Sequence, residues 1–130
     1  MRHGILFLFL MGVALVAGAN EVRIVEVKLD QRGYEWSATV TLEHEDTGWE
    51  HYADAWRFVT EDGKEFARRT LWHPHVNEQP FARSLSGIVI PKGTKVFYVE
   101  AHDKVHGWSP DRVRIDLAKP KGPRYRIRTQ

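Results

Sequence analysis

The chain has no cysteine. It can therefore form no disulfide, offer no thiolate to a metal, and present no thiol to a lipid or as a nucleophile. Stability has to come from packing alone. No G-x-S-x-G elbow occurs, which removes a second common nucleophile arrangement. No stretch carries convincing helical periodicity, and there is no internal repeat or low-complexity block. Acid is missing from the end of the chain. All 17 acids precede Lys119, whereas Lys119, Lys121, Arg124, Arg126 and Arg128 crowd the last dozen residues, with Arg114 shortly before them. An acidic body thus carries a basic tail. That tail reads as a solvated segment, as a patch for an anionic partner, or as an edge strand, because Tyr125 and Ile127 alternate with its arginines. A net-acidic body argues against nucleic acid as the partner.

Long apolar runs are also lacking, except at the start. Met1, Arg2 and His3 lead into Ile5 to Leu10 and on through Val13 to Val16, closed by Ala17-Gly18-Ala19. A charged start, a short apolar stretch and an A-x-A end make a cleavable signal peptide. The run falls short of the roughly 20 residues a membrane span requires. The expected organisation is a signal peptide over 1–19, one domain over 20–118 and the basic tail over 119–130. The product would be exported to the periplasm or the exterior, with no transmembrane anchor in the mature chain. About 110 residues remain, enough for one core.

Within them apolar residues recur with period two. Val22 and Ile24, then Val25, Val27 and Leu29, form a first strand whose face shifts midway, as at a bulge. Tyr34, Trp36, Ala38, Val40 and Leu42 alternate with polar residues in a second. Tyr52 to Thr60 and Lys64 to Leu71 flank Asp62-Gly63, the signature of a tight hairpin. Leu85 to Ile90, Lys95 to His102 and Arg112 to Leu117 complete the set. Trp36 and Trp56 sit mid-strand and belong to the core. Short strands of this number and spacing predict an all-β, seven-stranded immunoglobulin-like sandwich. Phe97, Val99 and Ala101, then Asp103, Gly107 and Ser109, then Val113 and Ile115, resemble the end of a fibronectin type III domain. The likeness departs at Lys95, where that family has tyrosine, and it implies strand order only. The segment from Leu71 to Phe81, with His73-Pro74-His75 and Glu78-Gln79-Pro80-Phe81, is similar to one in small exported bacterial proteins, and names no activity.

In such a sandwich the connections after strands two, four and six emerge at one end. Of the seven histidines only His3 precedes Ala19, and the others all fall in those connections. Trp49, Trp72 and Trp108 fall there too. Two uses are open. The leading one is a non-enzymatic binding module whose loops present Trp49, Trp72, Asn77, Glu78, Gln79, Phe81, Arg83 and Trp108 to a protein or peptide, or less favourably to cell-wall glycan. The alternative is a zinc or copper site from His73 and His75, two apart on one face, completed by His102 and His106. Catalysis is the weakest reading, since only loop acids beside His44 and His51 could pair for it.

Overall fold

A computed structural model describes residues 20–130, and the leader read over residues 1–19 lies outside them. The described chain is all β, with two sheets stacked as a sandwich. The described residues form nine strands rather than seven. They are β1 (Arg23–Arg32), β2 (Glu35–Glu43), β3 (Ala53–Thr60), β4 (Glu65–Thr70), β5 (Phe81–Ile88), β6 (Val96–Asp103), β7 (Gly107–Asp116), β8 (Lys121–Gly122) and β9 (Tyr125–Thr129). One sheet runs β5-β2-β1-β9-β8 and the other β4-β3-β6-β7.

The period-two pattern decides which side chains meet between the sheets. Ala38, Val40 and Leu42 of β2 point inward beside Ile24, Val27 and Leu29 of β1. Ile24 and Val27 can share a face because the β1–β2 register shifts between Ile24 and Glu26, a bulge at the position where the apolar pattern changes face. From the facing sheet come Trp56 and Phe58, Phe97, Val99 and Ala101, and Val113 and Ile115. The rings of Phe58 and Phe97 lie 4.9 Å apart. Trp56 is wholly buried, while Trp36 is half-buried and packs against the core from its edge. The Asp62-Gly63 hairpin joins β3 to β4, with Gly63 at a φ of 85° that a side chain would strain.

Two strands start earlier than the apolar pattern suggests. β5 begins at Phe81, paired with Leu42, and β7 begins at Gly107. β7 is an edge strand, so Pro110 needs no ladder partner and does not break it. The basic tail supplies the two added strands, with β9 running parallel to β1. Tyr125 anchors it from the core side, its hydroxyl donating to the carbonyls of Asp116 and Lys119. Its arginines meet the acids of the body. Arg128 lies 2.7 Å from Asp30 and Arg124 3.0 Å from Asp111, so much of the tail's charge is balanced locally. The β2–β3, β4–β5 and β6–β7 connections and the entry to β1 gather at one pole of the sandwich.

Candidate metal centre

At that pole the inward faces of two strands end in ionisable groups instead of apolar ones. His44 continues the inward register of β2 and Asp103 closes that of β6. Both are buried, and so is Asp46, two residues beyond His44. Asp46 is fully engaged. Its Oδ1 accepts from His44 Nδ1 at 2.5 Å and from the Ala53 amide at 3.0 Å, and its Oδ2 accepts from the His75 amide at 2.8 Å. It thereby ties the β2–β3 connection to the β4–β5 connection. Gln79 adds a second tie, accepting from the His44 amide and donating to the His75 carbonyl.

His44 has acceptors at both ring nitrogens, Asp46 at Nδ1 and the Asn20 carbonyl at 2.8 Å from Nε2. Oxygen acceptors at both nitrogens favour the protonated ring. Burial alone would lower its pKa, but the bonds to Asp46 and Asn20, with the field of Asp46 and Asp103, hold it above the usual imidazole value. Burial would likewise raise Asp46, yet the His44 ring and the His75 and Ala53 amides keep it below the usual carboxylate value. For Asp103 the same cost of burial is overcome by the His106 and Val105 amides and the His106 ring, so it too is held low.

Asp103 is where the donors converge. Its Oδ1 lies 3.1 Å from His51 Nε2, 3.1 Å from His106 Nδ1, and within 3.0 Å of the Val105 and His106 amides. His51 and His106 have ring centroids 5.2 Å apart, and His44 and His51 4.8 Å apart. One ligand atom each from His44, His51 and Asp103 fall within 4.8 Å of one another, so this cluster could hold a metal ion. On its other nitrogen His51 meets the Asn20 side-chain amide at 3.1 Å, while Asn20 Oδ1 is buried without a partner. Turning that amide over satisfies the oxygen. It would then accept from His51 Nδ1, and an ion placed between His51 Nε2 and Asp103 would take the lone pair of Nε2.

No protein-family model matches the chain. A protein of Halomicrobium mukohataei named "Putative lipoprotein" is 38% identical over 100 residues, which cover 75% of this chain and 48% of that protein. The chain thus spans about half the length of the relative it matches. Among solved structures, the superoxide reductase from Nanoarchaeum equitans is similar with a TM-score of 0.48 and 15% identity, covering 73% of this chain and 91% of that one.

The four histidines read from the sequence as a metal set do not share one point. His106 lies in the cluster just described. His73 and His75 are neighbours, with ring centroids 4.8 Å apart, but His75 is stacked on Phe81 at 4.0 Å and its Nε2 accepts from Arg83. Burial and the charges of Arg83 and His73 lower its pKa, and Arg83 occupies the lone pair of its Nε2. His102 has the opposite parity to Asp103 on β6 and stands on the outer face, 2.5 Å from Asp54 and edge-on to Trp108. Trp108 is itself covered by Arg57, 3.7 Å from its ring. Of the loop residues read as a binding surface, Trp49, Trp72, Asn77, Glu78 and Gln79 are exposed. Phe81 is not, since it is 2% exposed and fills the core; Gln79 and Arg83 are engaged in the bonds above. The sequence reading missed His44, His51 and Asp103 as a set. The signal was parity, because His44 and Asp103 each fall where the next inward apolar residue of a strand would stand.

Proposed function

We propose that the chain is an exported binding protein for one transition-metal ion, zinc or copper, held by His51, His106, Asp103 and His44. The observation that carries this is the approach of two imidazole nitrogens to one buried carboxylate oxygen at 3.1 Å each. With metal bonds of about 2.0 to 2.1 Å, neighbouring ligands of a tetrahedral site lie about 3.3 Å apart, close to that spacing. Imidazole and carboxylate donors suit both metals. The two aspartates divide the work. Asp46 grips His44 Nδ1 and so aims Nε2 into the site, as carboxylates behind metal-bound histidines do, while Asp103 is the oxygen ligand. The side chains of His51 and His106 are 16% and 38% exposed, which leaves an entry from solvent. Export is supported by the leader pattern and by the relative's name. Lipid attachment through cysteine has no acceptor in these 130 residues.

The test is metal analysis of untagged protein followed by titration with Zn2+ and Cu2+. Wild type should bind one equivalent, a His51→Ala/His106→Ala variant none, and a His73→Ala/His102→Ala variant as much as wild type. Failure of wild type to bind either ion overturns the proposal. A second reading is a protein partner at the same pole, favoured by Trp49 and Trp72, which are 66% and 73% exposed. It predicts that Trp72→Ala weakens capture of that partner without altering metal content.

A further inference from the structure

Asn20 is the residue that lies against both His44 and His51, and it is also the residue that follows Ala17-Gly18-Ala19. Resting on the metal reading above, we propose that removal of the leader completes the site: the new α-amino group of Asn20, with the Asn20 carbonyl oxygen, chelates the ion bound by His44 and His51. Three features of Asn20 point this way. Its carbonyl oxygen is 2.8 Å from His44 Nε2, near the roughly 2.9 Å that separates adjacent ligands at right angles on bonds of about 2.0 to 2.1 Å. Its side-chain amide sits 3.1 Å from His51 Nδ1, the nitrogen not facing Asp103, and so fixes that ring with Nε2 toward the carboxylate. Its Oδ1 is buried, and with the amide turned over it is this oxygen that meets His51, so the side chain is held at the cluster.

The chemistry differs sharply before and after cleavage. In a peptide bond the Asn20 nitrogen lends its lone pair to the carbonyl and cannot bind an ion while it keeps its proton. Hydrolysis breaks the bond between the Ala19 carbonyl carbon and the Asn20 nitrogen. Water gives its hydroxyl to Ala19 and a proton to the nitrogen, which becomes an amine with a lone pair of its own. Amine nitrogen, Cα, carbonyl carbon, carbonyl oxygen and the ion then close a five-membered ring. The ion takes the lone pair of His44 Nε2 in place of a proton, with the Asn20 carbonyl oxygen beside that nitrogen. Metal loading is thereby tied to export, since a precursor that still carries its leader lacks one ligand.

The experiment compares two full-length genes expressed for export. One is wild type and the other carries Ser-Gly inserted after Ala19, so that the same cleavage leaves the Asn20 nitrogen in a peptide bond. If the insertion blocks cleavage, residues 20–130 released behind Ser-Gly by a protease supply the same end, and they contain all nine strands. Intact mass verifies each terminus, and a shared denaturant midpoint verifies the fold. Copper(II) affinity should drop by at least about 10-fold in the extended protein, since even groups that only support a metal ligand are worth about 10-fold to 100-fold. Its electron paramagnetic resonance should show one fewer coordinated nitrogen. Equal affinity and equal spectra in the two proteins would overturn the chelate while leaving the histidine site standing. Retention of residues 1–19 on the exported product would overturn it as well. Copper binding by neither protein would remove the metal reading and this inference together.

Discussion

The two poles of the sandwich close the same core by opposite means. At one, the chain turns back through short, largely exposed segments such as Glu61 to Lys64 and Pro91 to Thr94. At the other it buries His44, Asp46 and Asp103 and pins three connections with them. Simple turns evidently suffice to finish strands of this length. Burying paired charges is expensive and seldom adds stability over apolar packing of the same volume. The histidine pole therefore carries chemistry that the fold does not require, and the comparison directs attention to that end.

The largest expected effect that could break this comparison comes from Asp46→Ala. It leaves the buried His44 ring without its carboxylate partner and removes the acceptor of the Ala53 and His75 amides. Loss of one partner of a buried pair costs about 3 to 5 kcal/mol. Lys92→Ala, on an exposed turn of the other pole, should stay within about 0.5 kcal/mol of wild type. Urea unfolding in the presence of a chelator compares the two. Similar losses would mean that the buried charges are not what hold the histidine pole together. A smaller effect is expected from zinc. At 100 times its dissociation constant a ligand of the native state adds about 2.7 kcal/mol. Hydrogen exchange should show the protection concentrated at residues 44–52 and 104–106, with 61–64 and 91–94 unchanged beyond the global shift. Protection spread equally over both poles would place the ion elsewhere.

Much of this architecture was legible because a half-buried strand writes its burial directly into alternate residues. Ala38, Val40 and Leu42, or Phe97, Val99 and Ala101, declare their face without any knowledge of partners. The same parity extends to His44 and Asp103, and it assigns His102 to the outer face. Choosing metal ligands by residue type alone passes over it. Other features have no local trace. That Arg83 occupies the nitrogen of His75 depends on how β5 leaves its loop, and Phe81 looks like a loop residue until β5 is seen to start there. The tail's alternation announces a strand, whereas its parallel pairing with β1 depends on a contact about 100 residues away.

The smallest effect is a slope with pH, and it sharpens the contrast because its cause is buried at only one pole. His44 is held above the usual imidazole value in the folded protein, so its contribution is fully present below the unfolded value of about 6.5 and is lost as pH rises through the raised one. Asp46 and Asp103 are held below the usual carboxylate value. Their contribution is present above about 3.9 and lost as pH falls through the lowered ones. Metal-free protein should accordingly be most stable between about pH 4 and 6.5 as far as these groups decide it. Above that interval stability should decline, by no more than about 1.4 kcal/mol per pH unit for a single proton. Urea unfolding with chelator at intervals from pH 5 to 9 measures the decline, and His44→Gln should flatten it. An equal slope in the variant would show that His44 is not the group released. Zinc should oppose the decline, because the ion and the Nε2 proton compete for one lone pair and rising pH favours the ion. Wild type with zinc should therefore hold its stability from pH 6.5 to 8 while the metal-free protein loses its own.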